Sequence, residues 1–478
     1  MNNKDFRKYA HALVDWMADY MENIEQYPVK SKVEPYAIYK QLPEQMPHQG
    51  EAFSTILTDF QQLILPGITH WQHPNFHAYF PANSSYPSVL GEMLTATLGA
   101  QCMIWETSPA AAELEERVLN WLKDAFHLPH TWEGVIQDTA STATLTALLS
   151  AREQCTQQQS NKKGIQGAPL RVYCSTETHS SIEKAVKIIG LGSENLVKIA
   201  TTGHGCMDAV ALEQAIKADK AAGLRPMCVV AALGTTGTTA VDPLATIAHI
   251  CKEQAVWLHL DAAFAGVVLL LPEYQYLLEG MEQVDSFVTN AHKWLFTNFD
   301  CSLYYVKDKE ALLQTFEILP EYLKTTTRGV VNDYRDWGVP LGRRFRALKL
   351  WFVLRTYGLE GLQKRLREHL ALAQTFAQWI EEAPDFERLA PVEFSLVCFR
   401  YKPAGAWTEE QLAAQNKALL DLLNQSGELY LTHTKINDQY ALRLAVAQTY
   451  VETKHLQKAW KLIQFHARHL NKKPKLLN

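Results

Sequence analysis

The chain has 478 residues, of which 47% are hydrophobic and 20% charged, with a formal net charge of −5. That length calls for more than one packed lobe around a large core, in an otherwise ordinary globular composition. The small negative charge argues against a dedicated nucleic-acid binder, which carries a basic excess or stripe.

The opening, MNNKDFRKYAHALVDWMADYM, lacks the basic start, apolar run and small-residue cleavage site of a signal peptide. Phe6, Tyr9, Leu13, Trp16, Met17, Tyr20 and Met21 recur at spacings of three and four, which predicts a helix that stops near Pro28. So broad a stripe must be covered, either by the chain's own core or by a partner subunit. From about 86 to 350, short apolar runs alternate with helical patterns or small-residue turns. GVIQ at 134–137 precedes ATLTALLSAR, RVYCS at 171–175 precedes SIEKAVKIIG, and MCVVAAL at 227–233 precedes GTTGTT. VWLHL at 256–260 precedes DAAFAG, and DSFVTN at 285–290 precedes AHKWLF. This alternation predicts an α/β layer architecture with a mostly parallel sheet. The polar stretch Gln157 to Gly167 reads as a surface loop.

RRFRALKLWFVLRTYG then predicts a long buried helix through Leu348, Leu350, Trp351, Val353 and Leu354. A helix in LREHLALAQTFAQWIEEAP, a strand in FSLVCFRYKP, a helix near 408–425 and a strand in YALRLAVAQ outline a smaller α+β lobe. The expected divisions are an N-terminal helical segment 1–85, a large α/β domain 86–350 and a C-terminal domain 351–478. No apolar run approaches the ~20 residues that span a bilayer. The eight cysteines are scattered without a CxxC pair, which suits reduced thiols better than disulfides or a zinc site. A cytoplasmic protein that binds neither membrane, nucleic acid nor metal is the expectation.

Two strand ends carry chemistry. HLDAAFAG places Asp261 after a run of β-formers, where open α/β sheets bind ligands; an Asp at that place also caps helices. NAHKWLF places Lys293 after the next strand, bracketed by His292 and by Trp294, Leu295 and Phe296. A lone Lys is usually a solvated surface residue. In apolar surroundings its pKa falls and its amine becomes a nucleophile toward carbonyls. The pair suits pyridoxal 5'-phosphate (PLP), which needs a Lys for its aldehyde and a carboxylate for its pyridine nitrogen. DTASTAT, Asp138 to Thr144, adds small hydroxyl residues at a helix start, a place that favours an anion. Neither GxxxxGK[ST] nor GxGxxG is present.

At these residues the sequence resembles the group II PLP-dependent decarboxylases, most of all the aromatic L-amino acid decarboxylases, from about residue 5 to about residue 465. The markers are HPNFHAYFPANSSYPSVLGEML, SPAAAELE, GVIQDTASTATLTALLSAR, THSSIEKA, LGTTGTT, WLHLDAAFAG, NAHKWLFTNFDCS and DYRDWGVPLGRRFRALKLWFV. The resemblance implies a fold type I, aspartate-aminotransferase-like large domain and a homodimer with shared active sites and intertwined N-terminal helices. It implies that Lys293 bonds the cofactor as a Schiff base, that Asp261 partners the pyridine nitrogen, and that His179 of THSS stacks on the ring near the substrate carboxylate. Ala140, Ser141, Asn290 and His292 match the phosphate cradle. Thr236 and Asp242 match further cofactor positions, although an Asp before Pro is also a common turn residue.

Tyr322, in PEYLKTTTRG, matches a loop tyrosine implicated in protonating Cα after CO2 leaves; relatives with Phe there make aldehydes instead. Trp71, Tyr79, Phe80 and Pro81 resemble the substrate-pocket wall, whose flat apolar faces suit an aromatic side chain. Gly342 follows the aromatic pattern, where histidine decarboxylases carry Ser. Ala82 stands in place of a Thr able to contact a catechol hydroxyl, and Gln101 and Met103 replace an Ile and a Phe. Thr142 stands where an acidic residue is usual. Loss of the hydroxyl contact weakens selection for hydroxylated rings, so phenylalanine and tryptophan are expected to be accepted alongside tyrosine and DOPA. The competing readings are a decarboxylase of histidine or a diamino acid, an aromatic aldehyde synthase, and a catalytically silent PLP-binding homologue.

Overall fold

The computed structural model describes residues 1–203, 205–318, 327 and 329–470. Two compact units divide the chain: the first gathers Met1–Pro81, Gln374–Leu389 and Val397 onward, and the second Ala82–Ala373 with Ala390–Leu396.

The second unit is built on a seven-stranded sheet. Its strands are β1 (Glu133–Gln137), β2 (Leu170–Ser175), β3 (Leu196–Ile199), β4 (Arg225–Ala232), β5 (Trp257–Asp261), β6 (Ser286–Asn290) and β7 (Ser302–Val306). They lie in the order β1-β7-β6-β5-β4-β2-β3. Neighbours from β3 through β6 are parallel, and β7 runs antiparallel to both β6 and β1. β1 therefore points the same way as β6, and the carboxyl ends of β1, β2, β4, β5 and β6 share one edge of the sheet. β4, β6 and β7 are buried along nearly their whole length, the pattern of strands covered on both faces.

The helix Ala140–Cys155 packs on β1 and on β4 through β7 through small buried residues, among them Ala143, Thr144, Ala147, Ser150 and Ala151. Small side chains let it approach the sheet closely. Thr144 Oγ1 lies 3.4 Å from His259 Nε2 in β5, and His259 Nδ1 lies 2.9 Å from Ser286 Oγ in β6. Burial pushes the His259 pKa down to about 4, so this polar seam through the core is uncharged.

In the first unit the N-terminal helix runs Asn3–Glu22, capped by Asn2, whose Oδ1 accepts the Asp5 N–H at 2.9 Å. It stops before Pro28, as its spacing predicts. None of its residues is buried, and Phe6 remains 60% exposed. Its apolar stripe has partial cover within the unit, with Tyr9 on Phe53 and Trp16 on Phe60. The same unit holds most of a four-stranded sheet of β8 (Phe386–Arg388), β9 (Leu396–Tyr401), β10 (Thr432–Ile436) and β11 (Gln439–Ala445), in the order β10-β11-β9-β8. The helices Glu409–Ser426 and Thr453–Leu470 belong to this unit. The two helices expected after residue 345 form one run, Arg346–Glu382, interrupted where Gly358 leaves helical geometry at φ 63°.

No disulfide joins any of the eight cysteines. Among the described residues no helix is long and apolar enough to cross a membrane, and no group of His, Cys, Asp and Glu is arranged to hold a metal ion.

Candidate active site

Five turns at the shared edge of the large sheet carry most of the residues singled out as cofactor ligands. After β1, Thr139 caps the helix Ala140–Cys155: its Oγ1 accepts the Thr142 N–H at 3.4 Å, and Asp138 Oδ1 accepts the Thr139 N–H at 2.6 Å. Ala140 and Ser141 open this helix, and Ser141 is exposed. The first-turn N–H groups and the dipole of a helix this long favour an anion at its start. Ser302 Oγ, at the start of β7, lies 2.6 Å from Asn290 Oδ1 and 3.2 Å from the Asp138 carbonyl. It joins the turn after β1 to the end of β6. His292 follows, its Nδ1 lying 3.0 Å from both the main-chain nitrogen and the carbonyl oxygen of Cys301. Burial, reinforced by the neighbouring Lys293 charge, drives the His292 pKa down to about 3.

Lys293 follows on the single helical turn Ala291–Trp294. Burial lowers the pKa of its amine, and the Asp261 carboxylate partly restores it. Asp261 closes β5; its Oδ1 accepts the Ala263 N–H at 3.0 Å, which leaves Oδ2 for another donor. His179, after β2, directs Nδ1 at Ser181, accepting that residue's N–H at 3.1 Å and lying 2.8 Å from its hydroxyl. The ring is reached by solvent, yet the surrounding protein lowers its pKa, with Asp261 raising it and Lys293 lowering it further. Asp261 therefore acts on the ionisation of Lys293, and both act on that of His179.

Thr236 lies exposed on the turn after β4. That turn closes through the Thr235 N–H on the Ala240 carbonyl at 2.9 Å. It starts at Gly234, whose φ is 92° and where a Cβ would sit 2.8 Å from that of Ala265; only glycine serves both demands. Asp242 is buried behind the turn. Its two oxygens accept the Met207 N–H at 2.7 Å and the Ala232 N–H at 2.8 Å, and burial raises its pKa to about 6. Asp242 thus fastens the frame of the turn. Tyr322 lies outside the described residues.

The aromatic wall residues belong to the first unit, where Trp71 stacks on Tyr79 at 5.8 Å and Phe80 lies under Arg443 at 5.4 Å. Pro81 ends that segment. Ala82, Gln101, Met103 and Gly342 belong to the second unit. There Gln101 Oε1 accepts the Arg343 N–H at 2.7 Å, and a Cβ on Gly342 would sit 3.3 Å from Gln101 Nε2. The sequence reading missed the segment Asn83–Ser85, which holds the backbone around Lys293, and the buried pair Glu115–Arg343 beneath β1. A run of small polar residues before a helix and an acid within a helix gave no distinctive signal of either role.

This donor set fits PLP. An amine with lowered pKa, a carboxylate with an oxygen to offer, and a helix start beside a neutral histidine supply what an aldehyde, a pyridine nitrogen and a phosphate require. The site and the sheet together define a PLP enzyme of fold type I. Residues 35–402 match the model of the pyridoxal-dependent decarboxylase conserved domain, and the chain belongs to that family. It is similar to phenylacetaldehyde synthase of Arabidopsis thaliana, 43% identical over 98% of this chain and 97% of that protein. It is also similar to tryptophan decarboxylase 2 of Oryza sativa subsp. japonica, 43% identical over 98% and 95% respectively. Among solved structures it is similar to Catharanthus roseus tryptophan decarboxylase in complex with L-tryptophan, with TM-score 0.93, 40% identity and coverage of 98% of this chain and 99% of that one. Oryza sativa TDC with PLP and tryptamine gives TM-score 0.95 at 36% identity with the same coverage. The chain is a PLP-dependent decarboxylase.

Proposed function

We propose that this enzyme removes the carboxylate of an aromatic L-amino acid, releasing the amine and CO2, with Lys293 as the cofactor-bearing residue. The observation that carries the reading is the Lys293 amine, on the turn after β6, lowered in pKa by burial and acted on by the Asp261 carboxylate at the end of β5. When bound, PLP supplies an electron-poor ring that accepts the electron pair of the breaking Cα–carboxylate bond. Lys293 holds the cofactor aldehyde, and its lowered pKa keeps more of the amine uncharged and nucleophilic at neutral pH. Asp261 Oδ2 holds the ring nitrogen protonated. Ala140, Ser141, Asn290 and His292 hold the phosphate, and Thr236 flanks the cofactor. His179, its Nδ1 turned to Ser181, would pack against the cofactor and could donate from Nε2 toward the substrate carboxylate. Tyr322 delivers the proton to Cα.

The aromatic class is supported by relatives named tryptophan and tyrosine decarboxylases at 42–43% identity. By resemblance, Trp71, Tyr79, Phe80 and Pro81 match the family's substrate-pocket wall, and such side chains suit an aromatic ring. Ala82 offers no hydroxyl, which favours tolerance of unhydroxylated rings. The exposed stripe of the N-terminal helix supports a homodimer, and a cytoplasmic location remains our reading. The test is amine and CO2 release by PLP-loaded enzyme on DOPA, tyrosine, tryptophan, phenylalanine and histidine. Stoichiometric amine from an aromatic substrate is expected, with none from K293A; substantial turnover by K293A removes Lys293 from its role. The similarity to phenylacetaldehyde synthase keeps aldehyde formation as a second reading, which the same assay separates by ammonia and hydrogen peroxide release.

A further inference from the structure

The turn that carries Lys293 cannot satisfy its own backbone. Ala291–Trp294 makes one helical turn, and Phe296 then takes a left-handed conformation at φ 54°. The Ala291 carbonyl accepts the Leu295 N–H at 3.2 Å, and a helix of a single turn offers the carbonyls after it no N–H further along the element. Buried carbonyls need donors, and here they come from a segment far away in sequence. The Asn83 main-chain N–H donates to the His292 carbonyl at 2.9 Å. The Asn83 side-chain amide, Nδ2, donates to the Lys293 carbonyl. Two residues on, Ser85 Oγ donates to the Phe296 carbonyl at 2.7 Å. Ser85 is the N-cap of the helix Tyr86–Leu98, a place where a serine hydroxyl ordinarily caps its own helix; here it makes no cap bond and serves the lysine turn instead. Ser88 continues the seam, accepting the Asn298 N–H at 2.7 Å.

We propose that Asn83 is a positioning residue for Lys293, setting the place of the lysine turn through the Lys293 carbonyl. Asn83 is 1% exposed, and a buried carboxamide is retained only where its hydrogen bonds are made. Its two donors act on consecutive carbonyls, those of the phosphate-side His292 and of Lys293 itself. Any shift of that turn moves the amine relative to Asp261, the charge that acts on it. Ser85 holds the same turn three residues beyond Lys293, at the Phe296 carbonyl. The two residues therefore separate a positioning effect from a structural one.

The inference rests on Lys293 bearing the cofactor. The experiment compares reconstituted holoenzyme of wild type, N83A, N83D and S85A. It reads cofactor affinity by titrating apoenzyme, the pH midpoint of the visible band of lysine-bound cofactor, kcat and KM, and the urea midpoint. N83A and N83D are expected to weaken cofactor binding by about tenfold and to lower kcat more than they raise KM. The pH midpoint of the band should move by about 0.5 or more. S85A should lower the urea midpoint while leaving cofactor affinity and the pH midpoint near wild type. A wild-type pH midpoint and affinity in N83A overturn the proposal, as does an S85A enzyme that moves both as far. If N83A does not fold, N83D, of the same shape, decides by the same criteria. K293A keeps the two readings apart. A band retained in K293A overturns the lysine assignment, whereas a band lost in K293A and unchanged in N83A overturns only the role of Asn83.

Discussion

Replacing Glu115 with alanine tests how the phosphate end of the site is held. Glu115 lies in the helix Pro109–Ala125 and is 2% exposed. Its Oε1 accepts Arg343 Nη2 at 2.5 Å and the Ile136 N–H of β1 at 2.8 Å. Arg343 also donates to the Ile136 carbonyl at 3.0 Å and to the Tyr334 carbonyl at 3.2 Å. E115A strands a buried guanidinium, which costs about 3–5 kcal/mol, and a strand N–H, which costs about 1–3 kcal/mol. These overlap in one network, so a loss of about 5 kcal/mol is expected, a large part of the about 5–15 kcal/mol that holds an ordinary domain. E115Q keeps an oxygen for the Ile136 N–H and should lose about half as much. The double variant E115L/R343M removes both charges together and should be more stable than E115A. Urea unfolding of the apoprotein at fixed protein concentration measures all three. β1 ends just before Asp138, so E115A should also weaken cofactor binding. A loss under about 1 kcal/mol in E115A, or a double variant less stable than E115A, would refute the reasoning.

Acid should destabilise the fold through its buried histidines. The pKa of His73 and of His77 is held at about 4, and that of His369, which accepts the Trp294 indole N–H at 2.9 Å, at about 3. The unfolded chain binds these protons first, near pH 6.5. Their stability contribution is therefore full above pH 6.5 and lost as pH falls toward 4 and 3. Asp242 and Asp285, raised to about 6, act the opposite way, losing stability as pH rises from about 4 to 6 and so offsetting part of the slope. Urea midpoints at pH 7 and 5 should favour pH 7, with a shallower dependence in H369N; an unchanged dependence there contradicts the assignment. G234A should cost about 1–3 kcal/mol and loosen the Thr236 turn, because its Cβ meets Ala265 and its φ suits only glycine; a wild-type Tm and cofactor affinity would count against it. Y322F is expected to divert turnover from amine to aldehyde, ammonia and peroxide, and an unchanged amine yield removes Tyr322 from the protonation step.

Much of the catalytic edge was legible because its strands are short apolar runs that end in distinctive residues. β1, β2, β4, β5 and β6 all stand where the sequence pattern puts them, to within about two residues at each end. β3 is four residues long with a half-exposed middle, and its pattern is too short to register. β7 is fully buried, yet its place between β1 and β6 depends on pairing distant in sequence, which no local period encodes. The same reason hid Asn83, whose target lies 210 residues away, and Glu115, 228 residues from Arg343. Residues that touch the chemistry announce themselves by type and by position after a strand. Residues that hold the backbone beneath them are ordinary side chains made specific by the fold.

That division also accounts for the electrostatics of the site. His292, His259 and His369 are each kept neutral by burial, with pKa values of about 3, 4 and 3. They contribute hydrogen-bonding groups without adding fixed charge. Against that neutral frame the Asp261 carboxylate acts on the Lys293 amine, and both act on His179. In poorly solvated surroundings a single charge is felt more strongly than in water. A small displacement of Lys293 therefore changes its proton affinity more than it would on an exposed turn. The backbone bonds from Asn83 matter for this reason: they fix the distance on which the charge balance of the cluster depends.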